Sequence, residues 1–121
     1  MRILYVEEHT DSCELLALWL SRLGYEVVTV NTVYDGLRMA RCGTFIIYIL
    51  SGHLIDGTGV DLCRQIRMFD SNTPIIFYSA FTRDSDLAKA MEAGAQAYLR
   101  LPEDFDRIEP TIRKLAGDER L

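Results

Sequence analysis

Five short segments rich in Val, Ile, Tyr and Phe recur along the chain and predict five β-strands. They span residues 2–6, 25–30, 45–50, 74–79 and 97–101. Several are nearly continuous apolar runs without polar alternation, which is typical of strands buried on both faces of a parallel sheet. We therefore expect helices to cover both sides of this sheet.

The segments between and after the strands have apolar residues at helical spacing, which predicts one amphipathic helix after each strand. This alternation indicates an α/β protein, most simply a three-layer, doubly wound (βα)5 domain with a parallel five-stranded sheet. The apolar positions of the five helices are Leu16, Trp19, Leu20 and Leu23; Val33, Leu37 and Ala40; Leu62, Ile66 and Phe69; Leu87, Ala90 and Met91; and Phe105, Ile108, Ile112 and Leu115.

Capping residues predict where two of these helices begin and end. Side chains of Thr and Asp accept hydrogen bonds from the first turn of a helix, and Gly adopts the left-handed conformation that often ends one. The candidates are Thr10 or Asp11 and then Gly24 for the first helix, and Thr82 or Asp84 and then Gly94 for the fourth.

Pro110 falls within the last helical pattern, where it would remove a backbone donor and clash with the preceding turn. The clash is avoided in the first turn of a helix. The last helix therefore either begins late, near Arg107, or is kinked.

The length of 121 residues predicts a single domain over residues 1–116, followed by a tail or linker stub over 117–121. The net charge of -5 disfavours direct binding to nucleic acid or to an anionic membrane. No segment approaches the roughly 20 apolar residues of a membrane span. Cys13, Cys42 and Cys63 are far apart and odd in number, which favours neither disulfides nor zinc and suits the reducing cytoplasm.

Ligands of doubly wound sheets bind outside the carboxyl ends of the strands. In this chain those ends are followed by Glu7 and Glu8, Ser51, Ser79 with Ala80, and Leu101 with Pro102. The candidate site is therefore partly acidic, partly hydroxylic and partly apolar.

Four segments together resemble the receiver domain of bacterial two-component response regulators, over residues 3 to about 115. They are ILYVEEHTDS at 3–12, SGHLIDGTG at 51–59, PIIFYSA at 74–80 and GAQAYLRLP at 94–102. The resemblance implies a flavodoxin-like sheet with strand order 2-1-3-4-5. It also implies a site where an acidic pair holds Mg²⁺ and an Asp accepts a phosphoryl group from a histidine kinase.

Five positions match the family residue by residue. Glu7 and Glu8 match the acidic pair, although each is longer by a methylene than the usual Asp, and Ser79 matches the hydroxyl residue. Tyr98 matches the aromatic switch and Pro102 the proline after the last strand.

Two positions do not match, because Ser51 stands at the phospho-acceptor position and Leu101 at the position of the lysine. Phosphotransfer requires a nucleophile and a cation on the transferring oxygens, and a serine hydroxyl without an adjacent base is a weak nucleophile. Arg100 lies next to Leu101, but successive side chains of a strand point to opposite faces. We therefore expect a degenerate receiver-like domain without enzymatic activity, acting as a phosphorylation-independent protein-interaction module.

The expected metal site is weakened as well. Glu7, Glu8 and the backbone carbonyl of His53 are candidate Mg²⁺ ligands, but the third carboxylate is missing. Mg²⁺ therefore stays possible but weakened, and no other cofactor is expected. The alternative is that the two glutamates occupy a solvated strand end near a helix N-terminus, where negative charge is favoured.

Other assignments of the site stay open. Asp56 or Ser51 could accept a phosphoryl group with Mg²⁺ at Glu7 and Glu8, although an Asp before Gly is more often a turn former. His9 and His53 lack a third soft-metal ligand, and Cys63 fits a small core residue. A flavodoxin-like cofactor binder would need a Gly-rich phosphate loop after the first strand, which this sequence lacks.

The resemblance places the partner surface on the helix, strand and helix between residues 84 and 114. Its candidate contact residues are Lys89, Tyr98, Arg100 and Arg107, a mixture of aromatic and basic side chains common in interface hot spots. The expected partners are a histidine kinase or a tethered output domain, and the expected state is a monomer or a weak homodimer.

Overall fold

Five parallel strands form one sheet at the centre of the fold. The structure, a computed structural model, describes residues 1–80 and 83–117. The strands are β1 (Arg2–Val6), β2 (Glu26–Val30), β3 (Ile47–Leu50), β4 (Ile75–Ser79) and β5 (Ala97–Arg100). Their order is β2-β1-β3-β4-β5, and each neighbouring pair is parallel. The expected doubly wound α/β fold with strand order 2-1-3-4-5 is therefore confirmed.

A helix follows each strand. The helices are α1 (Thr10–Arg22), α2 (Val33–Cys42), α3 (Gly59–Arg67), α4 (Asp84–Ala93) and α5 (Ile108–Ala116). A short 3-10 turn, Phe105–Arg107, precedes α5, and a small antiparallel ladder joins His53–Leu54 to Gly57–Thr58 between β3 and α3.

Two apolar cores lie on opposite faces of the sheet. Side chains of α2, α3 and α4 pack on one face, where Leu4 and Leu50 point. Side chains of α1 and α5 pack on the other, where Ile3 and Ile49 point. Because successive residues of a strand alternate between the faces, all four residues of β3 are buried. The three-layer architecture and the two-sided burial predicted from the apolar runs are both confirmed.

The predicted helix ends are partly wrong. The N-cap of α1 is His9, whose side chain makes no capping hydrogen bond, because the helix already includes Thr10 and Asp11. Gly24 (φ 97°) directly follows the C-cap of α1, and Gly94 (φ 116°) is the left-handed C-cap of α4, as predicted.

The start of α4 also differs from the prediction. Its N-cap is Arg83, whose backbone N–H donates to the Asp86 carboxylate at 2.9 Å, and Asp84 is the first helical residue. The other predicted cap, Thr82, lies outside the described residues.

Pro110 is the third residue of α5, and the N-cap of this helix is Arg107. First-turn residues have no intrahelical acceptor for their N–H groups, so proline is accommodated there. Of the two alternatives that Pro110 left open, a late start or a kink, the late start is the one observed. Gly117 caps the helix in the left-handed conformation, and the rest of the predicted tail, residues 118–121, lies outside the described residues.

Several residues predicted to form the apolar faces of the helices are exposed. Leu16 and Leu20 of α1 are buried, whereas Trp19 and Leu23 are 42% and 37% exposed. The core contacts only a narrow stripe of α1, so part of its apolar surface faces solvent. Phe69, Leu87 and Met91 are exposed in the same way. Of the helices in the described ranges, none combines the length and the apolar character needed to cross a membrane.

Candidate functional site

Three polar side chains are buried where strands end at the carboxyl edge of the sheet. Glu7 follows β1, Ser51 follows β3 and Ser79 ends β4, with exposed fractions of 3%, 5% and 4%. Tyrosines aside, they are the only polar or charged residues buried within the ranges 1–80 and 83–117. The parallel sheet thus brings together three of the residues singled out from the sequence, at the edge where doubly wound proteins bind ligands.

Glu7 is the one carboxylate among these three residues. Its Oε2 atom accepts a hydrogen bond from the Glu8 backbone N–H at 3.0 Å, and its backbone N–H donates to the Val30 carbonyl. Burial raises the pKa of Glu7, and this effect outweighs the hydrogen bonds with Ser51 and Glu8 that lower it. The protonated form is therefore favoured more than in water, because a buried charge loses its hydration.

Ser51 is held by the strands on one side and by the following loop on the other. Its backbone N–H donates to the Val6 carbonyl at 2.9 Å, and its hydroxyl lies 3.3 Å from the His53 carbonyl oxygen, to which it donates. An interaction with the same hydroxyl lowers the pKa of the Glu7 carboxyl. Since a hydroxyl has one proton, a Ser51 hydroxyl that donates to His53 can only accept a hydrogen bond from Glu7, and only from its protonated form.

The candidate Mg²⁺ ligands do not form a complete donor set. Glu8 is 26% exposed at its side chain and lies 3.9 Å from the His9 ring, while the carboxyl of Glu7 and the carbonyl of His53 already accept internal hydrogen bonds. No cluster of three or more His, Cys, Asp or Glu side chains suited to a metal occurs in the described ranges. Mg²⁺ requires near-octahedral oxygen ligation, so these residues do not fit a tight Mg²⁺ site.

Ser79 contacts the loop that follows Ser51. Its Oγ accepts a hydrogen bond from the Gly52 backbone N–H at 3.2 Å and lies 3.4 Å from the Ala80 carbonyl, to which it donates. A β-carbon on residue 52 would lie 2.9 Å from this Oγ, so any residue other than glycine would displace the Ser79 side chain. The backbone donor next to Ser51 is therefore paired within the protein.

Tyr98 lies on the same side of the sheet as Ser79. Its ring stacks on that of Phe77, with centroids 5.6 Å apart and planes inclined by 9°. The hydroxyl group lies 3.8 Å from the position that a β-carbon of Gly52 would occupy, so it faces the site. Phe77 was not singled out from the sequence, although its position two residues before Ser79 in β4 places both on one face.

Leu101 turns away from this group. It is partly buried and packs against the core formed with α1 and α5, and its peptide bond to Pro102 is cis. Arg100 is exposed and lies 3.9 Å from the Asp84 carboxylate at the start of α4. In the described part of the chain, neither Lys nor Arg makes a hydrogen bond or ion pair with Glu7 or Ser51.

Asp56 caps a neighbouring helix. Its two carboxylate oxygens accept the backbone N–H groups of Val33 at 2.7 Å and Tyr34 at 3.1 Å, at the start of α2. The hydrogen bond from Val33 is the main reason why the pKa of Asp56 is lowered. Both oxygens are thus engaged in fixing the loop against α2.

A groove of about 580 Å³ leads from the site across α3 and α4. Ser79 and Tyr98 lie at its inner end, and Lys89 and Arg64 supply positive charge along its walls beside Asp61 and Glu92. Two of the four residues predicted for the partner surface, Lys89 and Tyr98, thus line one groove. Arg107 lies beyond it and pairs with Asp104 at 3.3 Å.

Two further tyrosines lie near Glu7 on the face covered by α1 and α5. Burial raises the pKa of Tyr78 to about 12, with a smaller contribution from the nearby Asp104 carboxylate. Tyr5 is fully buried, its pKa is raised chiefly by burial, and its hydroxyl has no hydrogen-bond partner among the residues that the structure describes. Neither hydroxyl was singled out from the sequence, because Tyr5 and Tyr78 lie within apolar runs that were interpreted only as buried strands.

Comparison with known families gives a match over almost the whole chain. Residues 3–113 match the family model described as the response regulator receiver domain. Among curated proteins, the transcriptional regulatory protein ZraR of Salmonella typhimurium is 28% identical over 118 residues, covering 98% of this chain and 27% of that protein. The cell cycle transcriptional regulator CtrA of Caulobacter vibrioides is 26% identical over 121 residues, covering 97% and 52%. The chain thus spans between a quarter and about half the length of these relatives.

Solved structures show the same fold. A putative response regulator from Chloroflexus aurantiacus has a TM-score of 0.90 at 24% identity, covering 97% of this chain and 98% of that one. The receiver domain of the sensor histidine kinase PA1611 from Pseudomonas aeruginosa, described with a magnesium ion coordinated in its active-site cleft, has a TM-score of 0.88 at 24% identity, with the same coverage. At these identities the likeness establishes the fold alone.

Proposed function

The chain belongs to the response regulator receiver domain family, and on this premise we propose that it is a degenerate receiver. In this proposal the domain accepts no phosphoryl group on aspartate, catalyses no reaction and acts in the cytoplasm by binding another protein. The observation that carries the proposal is the environment of Ser51, whose buried hydroxyl donates to the His53 carbonyl and interacts with the Glu7 carboxyl, where the family has an Asp.

The chemistry of the site supports this reading. A phosphoryl group arriving at Ser51 would need a general base to activate the hydroxyl and a cation to neutralise the transferring oxygens. Glu7 is the nearest carboxylate, but its raised pKa makes its ionised form less available. Leu101 packs into the apolar core and supplies no charge.

The internal hydrogen bonds support it as well. In a receiver that binds a phosphoryl group, a hydroxyl at the end of the fourth strand has to be available to that group. Here Ser79 Oγ accepts the Gly52 N–H, and Tyr98 already lies against Phe77 with its hydroxyl toward the site. A conformational change coupled to phosphorylation requires a ligand that favours one state over the other, and these contacts would have to rearrange before a phosphoryl group could bind Ser79.

The proposed contact surface is the exposed side of α4, β5 and the turn before α5. It contains Lys89, Arg100 and Arg107, all exposed, with the half-buried ring of Tyr98 at the edge of the groove. Arg100 and Arg107 pair with Asp84 and Asp104, so this surface presents charges of both signs around an aromatic residue and suits a partner with a rim of mixed charge. A histidine kinase or an output domain tethered to the same chain is the partner class that the family supports.

The alternative acceptor, Asp56, is disfavoured by its position. Both of its oxygens already accept backbone N–H groups of α2. Transfer to Asp56 would break these hydrogen bonds at the start of that helix.

Incubation with acetyl phosphate and Mg²⁺, followed by intact mass measurement, tests the proposal. We expect no gain of one phosphoryl mass, and no change on Ser51→Ala or Asp56→Asn. The double variant Ser51→Asp/Leu101→Lys is the matched positive control, because it restores the family's residues at both departing positions. A phosphoryl gain in the unmodified chain contradicts the proposal, and its loss in Asp56→Asn or in Ser51→Ala then identifies the acceptor.

The conformational part of the proposal has a separate readout. Beryllofluoride with Mg²⁺ mimics an aspartyl phosphate, so we expect it to leave the amide NMR signals of residues 84–114 unchanged in this chain. In the double variant the same addition is expected to shift signals around Tyr98. Shifts of similar size in the unmodified chain would show that the site still responds to a phosphoryl group.

A further inference from the structure

The helix α1 presents apolar residues to solvent on the side opposite its buried face. Leu16 and Leu20 are buried against the sheet and α5. At about 100° of rotation per residue, Leu15 and Leu18 point the other way, and their exposed fractions are 60% and 54%. Single exposed leucines are ordinary, whereas neighbouring ones on one helix face indicate an interaction surface.

This surface has a regular spacing. We call Asp11, Leu15, Leu18 and Arg22 the α1 stripe; all four residues are exposed. Their separations of four, three and four positions are those of the seam by which one helix packs along another. Trp19 borders the stripe, and its ring lies 6.3 Å from that of Phe105, which extends the apolar area toward the 3-10 turn.

The two ends of the α1 stripe have opposite charges. Asp11 lies in the first turn of α1 and Arg22 in the last. Neither forms an ion pair with another residue in the ranges 1–80 and 83–117. From the N-terminal to the C-terminal end of α1, the stripe therefore consists of one acidic, two apolar and one basic residue. Both charged side chains are available to a partner.

We propose that the chain forms a symmetric homodimer in which α1 packs antiparallel against the α1 of a second copy. A two-fold axis between Leu15 and Leu18 places Leu15 opposite Leu18 of the partner subunit. The same axis places Asp11 opposite Arg22 of the partner subunit. Every contact then occurs twice, as symmetry requires.

Charge favours this occupant and this orientation. A parallel pairing would place acid against acid at one end and base against base at the other, which is unfavourable. Reversing the helix direction makes the stripe complementary to itself. A second copy always presents the required order of charged and apolar residues, whereas an unrelated helix would have to match it independently.

The expected dimer is weak. α1 has 13 residues and is about 20 Å long. One helix pair of this length covers less than the roughly 800 Å² per partner of a standard stable interface. The dimer leaves the groove beside Lys89 and Tyr98 uncovered, because that groove lies over α3 and α4. The inference is thus independent of the proposed function.

Sedimentation velocity over a concentration series tests the proposal. We expect the unmodified chain to shift from monomer to dimer as its concentration rises from about 10 μM to about 1 mM, the range suited to a small interface. Leu15→Lys should abolish the shift. Met68→Lys is the matched control, because Met68 is 85% exposed and lies in the turn after α3.

Charge reversal tests the antiparallel pairing directly. Asp11→Arg and Arg22→Asp each place like charges opposite one another, so each variant alone should stay monomeric. An equimolar mixture should form a heterodimer, because every charged contact then joins opposite signs. Native mass spectrometry distinguishes this heterodimer from either homodimer, and its recovery shows that both variants are folded.

Three results would overturn the proposal. A monomer at about 1 mM excludes the homodimer at the strength expected for this surface, and leaves the α1 stripe to a different protein or to a further segment of a longer chain. Equal loss of dimer in Leu15→Lys and Met68→Lys removes the role of the stripe. A dimer that survives both charge reversals, with no heterodimer in the mixture, rules out the antiparallel pairing.

Discussion

The ring of Tyr98 lies flat on the ring of Phe77, with 5.6 Å between centroids and 9° between planes. The contact joins β5 to β4 at the end of the sheet where Ser79 and Gly52 also meet. The stack therefore holds an aromatic side chain in the lining of the groove, with its hydroxyl facing the site. Offset stacking of this kind adds to the energy of apolar burial.

Replacing Tyr98 with Ala should lower the free energy of unfolding by about 2–3 kcal/mol, because it removes the stack and leaves Phe77 without its neighbour. Tyr98→Phe should retain most of the stability, since it keeps the ring. Urea unfolding monitored by Trp19 fluorescence measures both. Tyr34→Ala, at a position that is 71% exposed, is the control and should change stability by less than about 0.5 kcal/mol. Equal effects at Tyr98 and Tyr34 would contradict a packed role for the stack.

Gly59 allows α3 to begin directly against the end of β3. A β-carbon at this residue would lie 2.1 Å from the Ser51 carbonyl oxygen and 2.8 Å from the Phe77 ring. The backbone oxygen cannot move without displacing β3, so Gly59→Ala should cost more than about 3 kcal/mol or prevent folding. Circular dichroism and urea unfolding report the loss.

The control for Gly59 is Gly117→Ala. Gly117 adopts φ 66°, but no atom of the described residues lies within 4 Å of its would-be β-carbon, so the cost should be about 1 kcal/mol. Similar losses in the two variants would show that steric contact at the strand end is unimportant.

The sequence was sufficient to predict the architecture because the relevant signals are periodic. Continuous apolar strands such as β3 must be covered on both faces of the sheet. The helical spacing of apolar residues between the strands predicted the helices that cover them. Periodicity was less reliable for α1, where it grouped Trp19 with Leu16 and Leu20 although the core reaches only the latter two. How wide a stripe of a helix is buried depends on the curvature and spacing of neighbouring elements, which local pattern does not encode.

The candidate site was predictable in its composition but not in its contacts. Strand ends identified Glu7, Ser51 and Ser79, and the parallel sheet brings them to one edge. The pairing of Ser79 with the Gly52 N–H depends on the path of the loop after β3, which is a tertiary feature. Similarly, the turn sequence at Asp56 predicted a turn but not the hydrogen bond that Asp56 accepts from Val33 of α2, which lies 23 positions earlier in the sequence.

Replacing Ser51 with Asp should destabilise the protein by roughly 1–3 kcal/mol, because a second carboxylate would be placed in the buried environment of Glu7. Mg²⁺ should recover part of this loss, since a cation that binds only the folded state stabilises it. Thermal melts with Mg²⁺ and with EDTA measure the effect. Ser51→Ala is the control, with a smaller loss of about 1 kcal/mol for the missing hydrogen bond and no response to Mg²⁺. Equal melting temperatures of Ser51→Asp with and without Mg²⁺ would contradict this prediction.

The variant Glu7→Gln should be more stable than the parent chain, and the difference in free energy of unfolding should grow as the pH rises. Burial raises the pKa of Glu7 above its ordinary value of 4.5. A raised pKa in the folded state means that the contribution of Glu7 is fully present below the unfolded pKa and is lost as pH rises through the folded pKa. The neutral amide of Gln resembles the protonated acid and does not titrate, so the advantage of Glu7→Gln should appear above about pH 4.5 and level off at higher pH.

Urea unfolding of both chains between about pH 4 and pH 8, the window around this titration, gives the difference in free energy directly. Ser51→Ala is an informative companion, because it removes a hydrogen bond that lowers the pKa of Glu7. The folded pKa should then rise further, and the stability of Ser51→Ala should fall more with pH than that of the parent. If the difference between Glu7→Gln and the parent is independent of pH, Glu7 titrates alike in the folded and unfolded states. The buried carboxyl at the end of β1 would then be as well solvated as an exposed one.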